Sequence, residues 1–124
     1  MQKHNLQELK KEYKSQFDVA FKYYSIINIL NDLKLKRKEL QLLAFIAVRG
    51  SISYGGKKEE FIELYGSSNA SIGNIISFLS KKELLEKKNG KNEIIAPLKM
   101  LDFSLPITLQ LHINAERLIN KENQ

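Results

Sequence analysis

Few side chains in this 124-residue chain have types and spacing that could carry out a reaction. Glu59, Glu60 and Glu63 bring three carboxylates close together, and positions 59 and 63 would share one face of a helix. A hydrolytic or Mg²⁺ site built on them would need a histidine partner, a glycine cradle or a concave setting. The histidines, His4 and His112, stand far apart, so the carboxylates read as a solvated helix face. The stretch GSISYGG from Gly50 to Gly56, followed by Lys57 and Lys58, has the composition of a phosphate loop without its spacing. Gly50 and Gly56 are six apart, and Lys57 is followed by a second lysine rather than by Ser or Thr. The absence of cysteine excludes disulfides and thiolate metal sites and fits an intracellular chain. No catalytic residue, metal or cofactor is expected, and the chain reads as non-enzymatic.

What remains is hydrogen-bonding side chains and lysines. The formal net charge is +6, unevenly spread. Residues 34–58 hold seven basic side chains against Glu39 alone, residues 59–80 hold only acidic charges, and residues 81–99 are basic again. The basic groups therefore flank the stretch that contains Asn69, Ser71 and Asn74 instead of occupying it. Such a distribution suits phosphate contacts, which position a protein without reading sequence. The plain alternative is a solubilising surface rich in lysine.

These groups need a scaffold. Phe61, Leu64 and Tyr65 mark one side of a helix starting near Lys57, and Gly66 stands where a helix end favours positive φ. Ser67 or Ser68 can cap a second helix, in which Ile72, Ile75, Ile76 and Leu79 recur every three or four residues. Asn69, Ser71 and Asn74 lie on another side of it. Helices joined by so short a turn must pack at a steep angle, which projects the second from the body. Downstream, Asn89-Gly90 between Leu84-Leu85 and Ile94-Ile95 signals a hairpin. Upstream, Phe17, Ala20, Phe21, Tyr24, Ile27 and Leu30 share a helical face until Asn31-Asp32 breaks it. A further helix follows, with Leu40, Leu43, Ala44, Ile46 and Ala47 inward, Leu33 and Leu35 at its entrance and Gly50 at its end.

Ile52 and Tyr54 alternate with serine, so a short strand beside the hairpin is expected. Leu98, Met100, Leu101 and Phe103 are expected to wrap the core. ITLQLHI, residues 107–113, alternates as a half-buried strand that would extend the sheet or pair with a second copy or another protein. A helix over 115–121 competes for the chain end. Residues 1–16 are a polar segment, either a short amphipathic helix around Leu6 and Leu9 or disordered; residues 17–97 form the domain, and 98–124 are a C-terminal extension. No apolar run approaches the ~20 residues that span a bilayer, and the start has no signal-peptide core. No membrane association is expected.

The pattern over about residues 35–97 resembles the winged helix-turn-helix DNA-binding superfamily, which includes small bacterial and phage regulators. Phe61, Ile62, Tyr65 and Gly66 take the places of the first helix and turn. Ser68 to Ile72 opens the recognition helix, and Leu79, Leu84 and Leu85 lead into the wing. The resemblance implies a mainly helical α+β fold: a winged helix-turn-helix with an N-terminal helix and a C-terminal strand extension. It implies duplex DNA as partner, with transcriptional regulation or phage DNA transactions as the setting, in the cytoplasm or a virion. Asn69, Ser71 and Asn74 would reach base edges. Lys57, Lys58, Ser68, Lys81, Lys87, Lys88 and Lys91 would contact phosphate. Three departures stand out: the second helix has no Arg, Phe78 replaces a basic or polar residue, and Glu83 stands where Gly is common. The Arg-free helix, apolar Phe78 and the added Leu98–Ile113 region favour the competing reading, a protein-interaction or assembly module, for which Phe21, Tyr24 and Phe78 are candidate contacts to a second copy, a phage protein or a host protein. Single-stranded nucleic acid is a third reading, with Tyr13, Tyr23, Tyr24, Tyr54 and Tyr65 too dispersed to form a stacking platform.

Overall fold

A computed structural model describes residues 5–95, 102–113 and 115. The first helix, α1 (Gln16–Leu30), starts where the Ser15 hydroxyl accepts the Asp18 N–H at 3.2 Å. It buries Ala20 and Tyr24 and half-buries Phe17, Phe21 and Ile27. Its end is closed by Asp32 N–H to Ile29 O and Leu33 N–H to Asn28 O, a Schellman arrangement with Asp32 at φ 50°. That closure is the break marked by Asn31-Asp32. Asn28 then ties both backbone groups of Leu35: its Oδ1 accepts the Leu35 N–H at 2.9 Å and its Nδ2 donates to the carbonyl at 3.3 Å.

Helix α2 (Arg37–Arg49) is the centre of the molecule. It buries Leu40, Leu42, Leu43, Ala44, Phe45 and Ile46, which is wider than the single stripe expected from its spacing. The reason is its position: α2 packs against α1 and also against α3 (Lys57–Tyr65), α4 (Asn69–Lys81) and β2 (Lys91–Ile94). Phe45 stacks on Phe17 at 5.5 Å between centroids and meets Phe61 edge-on at 5.4 Å, so one aromatic column joins α1, α2 and α3.

Gly66 ends α3 at φ 64°, and the Ser68 hydroxyl caps α4 by accepting the Ser71 N–H at 3.1 Å. Ile72, Ile75 and Leu79 are buried, with Ile76 half-buried beside them. Strand β1 (Leu85–Lys88) pairs antiparallel with β2, Leu85 opposite Ile94 and Lys88 opposite Lys91. Asn89 and Gly90, at φ 52° and 76°, form the two-residue turn, whose two positive φ values suit a type I′ hairpin. The described residues thus make a mainly helical α+β fold of four helices and a two-stranded sheet.

The expected strand at Ile52–Tyr54 does not form. Ile52 is fully buried, but Gly55 and Gly56 turn the chain at once with φ 72° and 73°, and contact with β2 is made through a side chain: Ser53 Oγ accepts the Asn92 N–H at 3.2 Å. Residues 107–113 also form no strand. Alternation yields a strand only where an edge is paired, and among the described residues β1 and β2 pair only with each other. Residues 5–13 are irregular rather than helical, and all but the half-buried Tyr13 are exposed. Of the residues expected to wrap the core after Pro97, Phe103 does so, against Tyr23 and Tyr24 at 5.9 and 6.0 Å. Leu98, Met100 and Leu101 lie outside the described residues, as does all of the competing helix over 115–121 except Ala115.

Candidate functional site

The outer face of α4 is the candidate site. At 3.6 residues per turn, Asn69 and Ser71 stand about 160° apart around the helix. They therefore cannot both face one partner, and of the three predicted base-contacting residues only Asn74 is central on the exposed side. Ser71 is half-buried, with its N–H in the Ser68 cap, and Asn69 is exposed at the opposite flank. Ala70, Gly73, Asn74 and Ser77 fill the middle of the exposed face, and Lys81 ends it. A Cβ added at Gly73 would meet nothing within 4 Å, so the helix backbone itself is open there. Hydrogen-bonding residue type alone does not single out Ala70 and Gly73. The 70, 73, 74, 77, 81 spacing, complementary to the isoleucine stripe, is the sequence signal for this face.

No acidic residue occupies the first turn of α4, which leaves the partial positive charge of its N-terminus uncompensated; α3 carries Glu59 and Glu60 in that place. At its other end α4 hands over to the hairpin. Lys82 lies over the Phe78 ring at 5.2 Å, and Phe78 is 37% exposed while Ile75 is buried, so only one of the two fits the core. Lys88 and Lys91 face each other on adjacent strands beside the turn, with Glu86 3.6 Å from Lys88 as partial compensation. Like charges directly opposed are unfavourable without a counter-charge, so the hairpin tip concentrates positive potential. The Tyr54 hydroxyl lies 3.5 Å from where a Cβ on Gly90 would stand, which places the 50–56 loop beside this tip.

The other predicted phosphate ligands divide. Lys58, Lys81 and Lys87 are exposed, and Ser68 is exposed but committed to its cap. Lys57 is half-buried, and its ammonium donates to the buried Ser51 hydroxyl at 3.3 Å; it serves the loop rather than the surface. Of the candidate interface residues, Tyr24 is 1% exposed, a core residue that cannot meet a partner, and burial pushes its hydroxyl well above the ordinary tyrosine range, with Tyr23 adding to the effect. Tyr24 lies one turn after Ala20 on the face of α1 that is turned into the core. Phe21 is half-buried under the Arg37 guanidinium at 5.2 Å.

The carboxylate cluster is not a unit. Glu60 is drawn to Arg49, with contacts of 3.0 and 2.6 Å, while Glu59 and Glu63 are exposed. The hydrogen bond from Arg49 holds the Glu60 carboxyl below its ordinary range and raises the guanidinium in turn. Among the described residues, no three His, Cys, Asp or Glu side chains come close enough to hold a metal ion, and no helix is long and apolar enough to cross a membrane. Comparison with protein-family models, with curated proteins and with solved structures returns no match.

Proposed function

We propose that the chain is a winged helix-turn-helix protein that binds duplex DNA without catalysing a reaction. Helix α4 enters a groove by its Ala70–Gly73–Asn74–Ser77 face, and Lys81, Lys88 and Lys91 hold the flanking phosphates, with Lys58 and Lys87 further out. One observation carries the reading. A face of small, uncharged residues, open to the backbone at Gly73, is bordered by exposed lysines at the helix end and at the hairpin tip. Small side chains allow close approach, and Asn74 offers the donor–acceptor pair that fits an adenine edge. With no Arg on this helix, affinity comes chiefly from phosphate neutralisation and sequence preference is shallow. Transcriptional regulation or phage DNA transactions, in the cytoplasm or a virion, are the settings such a protein would serve.

Titration of labelled duplex and single-stranded DNA by fluorescence anisotropy between ~50 and 200 mM salt tests it. Duplex binding should weaken steeply with salt, and Lys88→Glu with Lys91→Glu should weaken it further. Absence of duplex binding at the low-salt end, or binding indifferent to those reversals, would overturn the proposal. The second reading, a protein-docking surface, is favoured by one observation, the partly exposed Phe78 ring beside that face. Loss of a protein partner on Phe78→Ala, with lysine reversals neutral, would select it.

A further inference from the structure

We infer that residues 107–113 are one half of an intermolecular β-ribbon, whose other half is the same segment of a second copy of this chain. Residues 105–113, LPITLQLHI, contain no charged side chain in a chain that is 27% charged. Their root is fixed. Ser104 N–H and hydroxyl both donate to Asp102, Leu105 N–H closes the turn onto Asp102 O, Phe103 is buried on Tyr23 and Tyr24, and Ile107 packs against the core. Beyond Ile107 the chain leaves the body. Leu109, Leu111 and Ile113 are 48, 58 and 83% exposed, and the segment has no ladder partner among the described residues. An uncharged alternating segment with open backbone groups seeks another strand.

The sequence says which strand. ITLQLHI is nearly the same in both directions: apolar at 107, 109, 111 and 113, polar at 108, 110 and 112. An antiparallel pair centred on Gln110 sets Ile107 opposite the partner's Ile113, Leu109 opposite the partner's Leu111, and Thr108 opposite the partner's His112. All apolar chains then share one face, as a two-fold isologous contact requires. A two-stranded ribbon needs cover on its apolar side. The register supplies it, because the partner's Ile113 falls beside the Ile107 that already packs on this copy's core. The absence of charge disfavours a phosphate-bearing occupant, and the near-palindrome favours the copy over an unrelated strand. The inference stands whether or not α4 binds DNA.

Sedimentation equilibrium of the full chain should give twice the 14.3 kDa monomer mass. Leu109→Glu with Leu111→Glu places carboxylates opposite one another and should raise the dissociation constant by at least about tenfold. Both positions are exposed, so the helical circular dichroism should not change. The natural chain lacks cysteine, so Gln110→Cys should cross-link to itself under oxidation, whereas Thr108→Cys, which faces position 112, should not. A monomer at every concentration, a dimer indifferent to the glutamates, or cross-linking at 108 in preference to 110 would each overturn the inference.

Discussion

The Ser53 hydroxyl accepts the backbone N–H of Asn92 at 3.2 Å, joining two residues 39 positions apart. This bond does for the hairpin what a third strand would do: it occupies the outward N–H of β2 and sets the turn beside the loop that opens α3. Ser53→Ala removes the acceptor while leaving Ile52 in the core. The expected cost is about 1 kcal/mol. Hydrogen exchange at the Asn92 amide should accelerate while that of the Ile95 amide, which donates to Leu84 O at 3.2 Å, changes less. Equal acceleration at both would mean that the hairpin is not hinged on this bond.

Arg49 closes α2 against two neighbours at once, pairing with Glu60 at 2.6 Å and lying 4.9 Å over the Phe17 ring. Because the pair is solvent-exposed, Glu60→Gln should cost no more than ~1 kcal/mol at neutral pH. Its pH dependence has a definite sign. The Glu60 carboxyl is lowered in the folded protein, so its contribution is present above the ordinary carboxylate pKa of about 4.3 and is lost as pH falls through the lowered value. The difference in melting temperature between the natural chain and Glu60→Gln should therefore vanish in acid. Arg49→Ala should cost more than Glu60→Gln, because it also uncovers Phe17.

The parts legible in the sequence were those where local chemistry and global packing agree. Ser68, Gly66 and the isoleucine spacing placed α3 and α4, and Asn89-Gly90 fixed the hairpin turn, because a cap, a positive φ and a period each act within a few residues. The breadth of burial on α2 was not legible from its own spacing. Leu42 and Phe45 are buried because α1, α3, α4 and β2 all pack on α2, a fact of tertiary arrangement. Alternation alone gives no strand within the single chain at Ile52–Tyr54 or at 107–113, since a strand requires a partner edge that the pattern cannot supply. At the site, residue type does not fix angular position: Asn69 and Ser71 have suitable chemistry but point to opposite flanks, and Lys57 has the right charge but serves Ser51.

Glu83 ends α4 in the left-handed conformation, at φ 60°. Its N–H bonds Ser80 O and the following Leu84 N–H bonds Leu79 O, both at 3.0 Å, the Schellman pattern whose left-handed position is usually glycine. A side chain there costs ~1–2 kcal/mol, against ~0.5–1 kcal/mol of extra chain entropy lost by a glycine. Glu83→Gly should therefore stabilise the protein by roughly 0.5–1 kcal/mol, read as a rise in denaturation midpoint at unchanged slope. Glu83→Val, β-branched at positive φ, should lower it.

Gly73 separates fold from function most cleanly. It lies mid-helix with open space around it, so Gly73→Ala should stabilise α4 by ~0.5–1 kcal/mol through propensity alone. Gly73→Leu keeps most of that gain, since the added side chain projects into solvent and meets no neighbour. If the exposed face of α4 seats in a groove of DNA, Leu at 73 holds the backbone away from the base edges. Affinity for duplex should then fall at least about tenfold, while the salt slope, set by the lysines, stays the same. Ala at 73 should cost much less. A Gly73→Leu variant that binds duplex as well as the natural chain would place the contact elsewhere, and the lysine reversals would then locate it.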